Sequence, residues 1–361
     1  MNKRRLLAVL LLMATYVGVQ AQICKQWMPV PSDRPSVAQQ KQIARKYGMF
    51  IHFGINTFVD QEWTDGSVPV STYNPTQIDA DQWVRTAKEA GMRYIILITK
   101  HHEGFCLWDS RYTDYDVASS PNPTNVVEAV AKACKKHGIG LGLYYSLWDR
   151  KVNADVEDSS KDAAYNRYML DQLEELMRIT RKYTHIVEFW FDGSWVKPNY
   201  RWPIQDIYQL IKRYEPNCQV GINWTVGWPK DCDKSPGPRP KDFKEGFPIR
   251  YFPSDFRLLD PHFTRADDPK IYSHGGKNYY LPFEATLCIR NMSNWFWDDD
   301  YLADRLLEAD FIAEKYRLLT ENGNAIVVNI APNKDGKQEQ ADIDRLLEAS
   351  RILGIERKIT D

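Results

Sequence analysis

The sequence predicts an α/β protein organised around a largely parallel sheet. Three observations carry that prediction. Strand-like and helix-like stretches alternate along most of the chain, helical stretches close at Gly, and polar side chains recur at the ends of the strand-like runs. Only seven strands are clear, so a doubly wound sheet and an irregular (β/α)8 barrel both fit the rhythm.

The elements follow in order. MFIHFG (49–54) is a short apolar strand, and IDADQWVRTAKEAGM (78–92) has the apolar spacing of an amphipathic helix ending at Gly. YIILITK (94–100) is a second strand and TNVVEAVAKACKKHG (124–138) a second helix closed by Gly. GLGLYYS (140–146) is the third strand, and a long helix near 162–183 leads to HIVEFWFDGSW (185–195). There, Ile186 to Phe191 is a β-branched and aromatic run of strand length, closed by the turn signal Asp192-Gly193. IQDIYQLIKRY (204–214) is helical and CQVGIN (218–223) a strand. The Pro-, Gly- and Asp-rich stretch over 226–278 is too long for an inert connection; it is expected to wall a cleft and has room for the missing strand. YYLPFEATL (279–287), a helix near 299–320, NAIVVNI (324–330) and a helix near 338–353 complete the chain.

With 361 residues, 43% of them hydrophobic, the chain can bury one large core. A formal net charge of -1 gives no electrostatic reason to expect nucleic acid or an anionic membrane as partner. The 12 Trp and 20 Tyr suit both a core and a sugar-binding cleft, since a flat ring can cover the apolar face of a pyranose. Residues 1–21 have a basic start, an apolar stretch from Leu6 to Val17 and a small-residue end at Ala21, the layout of a secretory signal peptide. That stretch is too short for a transmembrane helix. The expected product is therefore a soluble exported domain over 22–361, periplasmic in a double-membraned bacterium. The six Cys contain no C-x-x-C pair, which argues against a zinc or thioredoxin-like site. Export permits disulfides, and Cys218 with Cys232 closes the shortest loop, while Cys106, Cys134 and Cys288 read as buried thiols.

Function is legible at the strand ends. His52 ends the first strand, Lys100-His101-His102-Glu103 the second, Tyr144-Tyr145-Ser146 the third, Asp192 the fourth and Asn223 the fifth. Glu284 falls in the sixth and Asn329 near the end of the seventh. In both candidate architectures the strand C-termini converge on the active face, so these groups read as one distributed enzyme site. Adjacent His101 and His102 would point to opposite faces of a regular strand, which argues against a metal centre. No G-x-S-x-G and no phosphate-cradling Gly loop occurs. Carboxylates among aromatics, His and Asn remain, the kit of glycoside hydrolysis.

The ordered blocks GMFIHFGINTF (48–58), QEW (61–63), TKHHEGFCLWDS (99–110), YYS (144–146), EFWFDGSW (188–195) and NGNAIVVNIAPNKDG (322–336) resemble the α-L-fucosidases of glycoside hydrolase family 29. The resemblance spans about residues 45–340. It implies a catalytic (β/α)8-like barrel and a retaining exo-mechanism on fucosylated glycans, with neither metal nor cofactor. It implies Asp192 as nucleophile, ionised beneath the anomeric carbon, and His52, His101, His102 and Glu62 as contacts to the sugar hydroxyls. Trp63 would lie beside Glu62, Tyr145 and Trp190 would line the pocket, and Trp295 would pack on the C5 methyl of the sugar. Burying that methyl gains roughly 1 kcal/mol.

The acid/base of the family falls in a variable region. Asp260 in SDFRLLDPHF fits the local pattern best, followed by Glu284 in LPFEATL and Glu245 in KDFKEGF. Its pKa should be raised by its neighbours. An Arg that many members carry after the fifth strand is replaced here by Asn223-Trp224. No clear C-terminal β-sandwich is expected after Gly336. Two other readings stay open: an α-glycosidase for a fucose-like sugar such as L-galactose, and a non-catalytic fucose-binding protein.

Overall fold

The computed structural model describes residues 26–153, 162–197, 200–227, 243–264, 267–290, 294–300 and 305–357. Residues 1–21, expected to be a signal peptide, and Cys232 lie outside the described residues. Cys106, Cys134 and Cys218 are buried free thiols, and Cys288 is buried too.

Helix α1 (Val37–Arg45) opens the described fold, with a capping box in which Ser36 and Gln39 satisfy each other's backbone N–H groups. Then β1 (Tyr47–Ile51), α2 (Ala80–Glu89), β2 (Tyr94–Lys100), α3 (Val126–His137) and β3 (Gly140–Ser146) alternate. They are followed by α4 (Asp162–Thr180), β4 (Ile186–Asp192), α5 (Ile204–Tyr214) and β5 (Gln219–Ile222). The two-residue strand β6 (Phe256–Arg257) lies inside the long Pro-rich stretch. A hairpin of β7 (Ile271–His274) and β8 (Lys277–Tyr280) precedes β9 (Glu284–Cys288), α6 (Ala309–Thr320), β10 (Ala325–Asn329) and α7 (Gln340–Leu353).

Eight strands form one sheet in the order β6-β5-β4-β3-β2-β1-β10-β9, every pair parallel. A further parallel bridge, Arg257 to Phe283, links β6 toward β9, so the sheet curls into a nearly closed (β/α)8-like barrel. The expected strand over 279–287 is in fact two. Tyr279 and Tyr280 belong to the hairpin, and the new strand begins at Glu284, because Pro282 cannot donate to a ladder.

Alternation along each strand sorts side chains into two layers. Tyr94, Ile96, Ile98, Tyr144, Trp190, Phe256 and Val327 fill the barrel interior together with Phe50 and Leu258. Their sequence neighbours Ile95, Leu97, Leu143, Phe189 and Phe191 pack in the larger core with residues of the helices. Gly48 and Gly221 make room for the interior rings. A Cβ at Gly48 would come within 2.6 Å of Tyr94, and one at Gly221 within 2.4 Å of Phe256.

Low in the barrel lies a buried polar cluster. Arg45 donates to Glu188 and sits 5.0 Å from the centre of the Tyr94 ring, and Tyr94 Oη donates to Glu284 Oε2 at 2.6 Å. Burial, with the neighbouring charge of Glu188, holds the Glu284 carboxyl well above its ordinary value, so Glu284 keeps its proton. Arg45→Met strands Glu188 as an uncompensated buried charge and is expected to lower stability by about 3–5 kcal/mol. Glu284→Gln, which retains a donor and an acceptor, is expected to cost no more than about 1 kcal/mol. Urea unfolding of the two variants measures both.

Candidate active site

Strand β4 explains why a hydrophobic run ends in a carboxylate. Glu188, Trp190 and Asp192 alternate on the inner face, with Trp190 opposite Tyr144 and Asp192 opposite Ser146 on β3. Asp192 is the last residue of the strand, and its carbonyl still accepts from Leu147 N–H at 2.8 Å. Gly193 then turns with φ 76, where a Cβ would come within 2.7 Å of Trp148. The carboxylate is thereby fixed at the barrel mouth by regular structure.

A cavity of ≈ 360 Å³ opens at these strand ends. His52, Glu62, Trp63, His101, His102, Trp190, Asp192, Asp260 and Trp295 all line it. His101 and His102 lie side by side, ring centroids 4.1 Å apart, because β2 stops at Lys100 and the strand alternation no longer applies. The expectation that they face opposite ways is therefore overturned. Among the described residues no cluster of three or more His, Cys, Asp or Glu side chains could hold a metal ion.

Three expected site residues lie elsewhere. Tyr145 is turned outward by the alternation of β3; its hydroxyl donates to Gln172 Oε1 at 2.7 Å and accepts from Lys100 Nζ at 3.0 Å. Its neighbour Tyr144 lines the cavity instead. Glu284 begins β9 rather than ending it, and sits in the low polar cluster. Glu245 is exposed and does not line the cavity. Of the acid/base candidates, Asp260 alone shares the cavity with Asp192.

The two carboxyl groups have different surroundings. Asp192 Oδ2 accepts from Tyr144 Oη at 2.8 Å, and Oδ1 accepts from Asn223 Nδ2 at 3.0 Å. Burial raises the Asp192 pKa; the hydrogen bonds from Asn223 and Tyr144 and the pull of His101 oppose that rise. Asp260 accepts from Thr286 Oγ1. Burial first, then the charges of Asp192 and Glu62, push its pKa up to about 7 against that hydrogen bond. Below about pH 7 Asp260 thus keeps a proton in the cavity it shares with Asp192.

The histidines are set as hydrogen-bond acceptors. His52 Nδ1 lies 2.8 Å from Asn329 Oδ1, and Asn329 Nδ2 donates to Trp295 O at 2.8 Å, which fixes the amide orientation. His52 therefore carries its proton on Nδ1. Ser146 Oγ donates to Trp148 O at 2.5 Å and so accepts from His102 Nδ1 at 2.7 Å. Burial holds both rings well below the ordinary histidine pKa, leaving each Nε2 an unprotonated acceptor. His102 Nε2 lies 3.6 Å from Asp192 Oδ2, two acceptors that one hydroxyl hydrogen can bridge. Glu62 Oε2 accepts from the backbone N–H of Trp295 at 2.9 Å. Glu62 Oε1 and Trp190 Nε1 are buried without a partner among the described residues, an acceptor and a donor open to a ligand.

Tyr144 and Asn223 were visible as strand-end residues, but nothing in the sequence says that both donate to Asp192. Trp195, Trp224, Arg250 and Pro261 also line the cavity. The last two, with Asp260, come from the stretch at 226–278, which does form a wall of the cleft.

A parallel barrel whose mouth holds two carboxyl groups in unlike surroundings, among buried histidines and tryptophans, has the architecture of the glycoside hydrolase class. Comparison with known proteins is more specific. The α-L-fucosidase family profile matches residues 69–357, and the chain is 32% identical to α-L-fucosidase 1 of Arabidopsis thaliana over 90% of this chain and 60% of that one. The chain belongs to the α-L-fucosidase family. It is 25% identical to an α-L-fucosidase of Dictyostelium discoideum, covering 86% of this chain and 68% of the relative. Among solved structures, SpGH29 superposes with a TM-score of 0.69 at 26% identity, over 90% of this chain and 70% of that one. A bacterial fucosidase with a bound inhibitor, at 24% identity, shares the fold with a TM-score of 0.71 over 91% of this chain and 76% of that one. The chain spans about 60% of the length of the Arabidopsis relative.

Proposed function

We propose that this protein is an exported, retaining α-L-fucosidase that releases terminal α-L-fucose from glycans. The observation that carries this reading is the pairing of Asp192 and Asp260 in one cavity with unlike proton affinities. Asp192 attacks the anomeric carbon from the end of β4 while Asp260 gives its proton to the leaving oxygen. A covalent glycosyl ester on Asp192 results, and water activated by Asp260 opens it. The imidazole acceptors of His52 and His102, with Glu62, receive sugar hydroxyl hydrogens, and Trp295 lies against His52 with ring centroids 5.2 Å apart, an apolar wall for the sugar methyl. The test is hydrolysis of aryl α-L-fucoside and aryl α-L-galactoside by protein lacking residues 1–21. Turnover of the fucoside supports the reading. Fucose binding without turnover of either substrate would favour a sugar-binding protein.

Export is supported by the layout of residues 1–21. Among the described residues no helix is long and apolar enough to cross a membrane. Fractionation of a producing cell, with N-terminal sequencing that begins at Gln22, checks it; intact Met1 in the cytoplasm contradicts it.

The two adjacent tyrosines provide a sharp contrast. Tyr144→Phe removes a donor from Asp192, so kcat/KM is expected to fall roughly 10- to 100-fold and the acidic limb of its pH profile to move upward. Tyr145→Phe is expected to leave kinetics unchanged and to cost about 1 kcal/mol of stability. Steady-state kinetics and urea unfolding of the pair measure both.

A further inference from the structure

The side-chain amide of Asn223 joins the Asp192 carboxylate to the backbone of Asp260. Its Nδ2 donates to Asp192 Oδ1 at 3.0 Å. Its Oδ1 accepts from the backbone N–H of Trp224 at 3.0 Å and from that of Asp260 at 2.9 Å. Two N–H donors on one end identify that end as oxygen, so the nitrogen end can only face Asp192. The residue is 1% exposed, which makes each of these bonds costly to lose.

The surrounding backbone is built to hold this arrangement. Trp224 adopts φ 61, a left-handed conformation that costs a bulky residue roughly 1–2 kcal/mol and persists where neighbours enforce it. Thr225 supplies that enforcement. Its N–H donates to Leu258 O at 3.3 Å, its Oγ1 accepts from Leu258 N–H at 3.0 Å, and its carbonyl accepts from Arg250 N–H at 2.8 Å. The chain after β5 is thereby strapped to the chain after β6, directly beside both carboxyl groups.

We propose that Asn223 is a positioning residue that assigns the two carboxyl groups their separate tasks, holding Asp192 as the anion and tethering the Asp260 segment opposite it. This inference rests on the glycosidase reading. An amide suits the role because it does not titrate. It offers its N–H to Asp192 at every pH and its oxygen to the segment that carries the acid, so the proton settles on Asp260. The other ionisable groups around Asp192 are Tyr144 from β3, His101 and His102 after β2, and Asp260 after β6. His52, Glu62 and Arg250 line the same cavity. Among the described residues bonded to Asp192, Asn223 is the one that also bonds the Asp260 backbone.

The experiment compares wild type with Asn223→Asp and Asn223→Ala on α-L-fucosyl fluoride and on an aryl α-L-fucoside, with kcat/KM recorded from about pH 4 to pH 9. Fluoride departs without a proton, so the first substrate reports on Asp192 alone, whereas the second also needs Asp260. Asn223→Asp has the same shape and keeps both backbone N–H groups satisfied, but sets a carboxylate oxygen against Asp192 Oδ1. Its acidic limb on the fluoride is expected to move upward by about one unit, which is about tenfold lower kcat/KM along that limb. Asn223→Ala is expected to lose more on the aryl fucoside than on the fluoride, because the Asp260 tether goes as well. A merely turn-forming role for Asn223 predicts an Asn223→Asp profile superimposed on that of wild type, with kcat/KM within about twofold, and this would overturn the proposal. Wild type inert on both substrates would instead overturn the glycosidase reading, and this inference with it.

Discussion

Asp192→Ala is expected to lower turnover of an aryl α-L-fucoside by on the order of 10⁴-fold, and azide to restore it with β-L-fucosyl azide as the product. The size follows from the role. Without the carboxylate no covalent ester forms, and the remaining groups only hold the sugar. Azide fits the space left by the side chain and attacks from the same side as Asp192. A product of inverted configuration from an α-substrate is the signature of a missing nucleophile. The structure makes the substitution informative because Asp192 is held by the end of a strand. Tyr144 remains within β3, and Asn223, just past β5, remains bonded to Phe191 O through its N–H and to the Asp260 N–H through its Oδ1, so the cavity should survive the change.

Asp260→Ala is expected to show a leaving-group signature. Loss of a general acid costs roughly 10²- to 10⁴-fold where the leaving oxygen is basic and much less where it is not. Glycans should therefore suffer far more than an activated aryl fucoside, and azide should return the α-azide, since Asp192 still attacks first. The pH dependence points the same way. Asp260 must hold its proton for the first step, so kcat/KM falls as pH rises through about 7. Asp192 must be ionised, so it also falls on the acid side, at a pH raised by burial of that carboxylate. Stability carries the complementary sign. The native pKa of Asp260 is about 7 against about 3.9 for an unfolded Asp, so the native state holds the proton more tightly. Its contribution is full below about pH 4 and is lost as pH rises through 7, a loss on the order of a few kcal/mol. Asp260→Asn removes that loss. Its unfolding midpoint relative to wild type should climb from pH 4 to about pH 8 and then level off.

The sequence reading was strongest where local pattern and tertiary role coincide. YIILITK and GLGLYYS correspond to β2 and β3 residue for residue, because apolar runs of that length have nowhere to go but a buried parallel sheet. Strand β6 was not legible. Two residues, one of them the buried Arg257, carry no periodicity, and this strand is defined by pairing to β5. Helix α1 lies outside the elements expected from the sequence, although Ser36 and Gln39 form a capping box at its start. At the site, His52 and Asp192 could be placed because strand ends converge on the cavity, whereas Trp190 followed from the family resemblance. The choice between Tyr144 and Tyr145 could not be read from resemblance alone, but it follows from alternation once Trp190 and Asp192 are known to face inward. Asn223 shows the limit. Its position at a strand end was plain, but its partner Asp260 lies 37 residues further along, and no local signal connects them.

The most direct test of the central claim, that Asp192 attacks the sugar, is covalent trapping. Incubation with 2-deoxy-2-fluoro-α-L-fucosyl fluoride should leave one fluorosugar ester on the protein, because the 2-fluoro group slows hydrolysis of the intermediate. Peptide mass spectrometry should place that ester on the carboxylate of Asp192, with no label in Asp192→Ala. A label on another residue, or turnover that releases fucose of inverted configuration and leaves no ester, would contradict it.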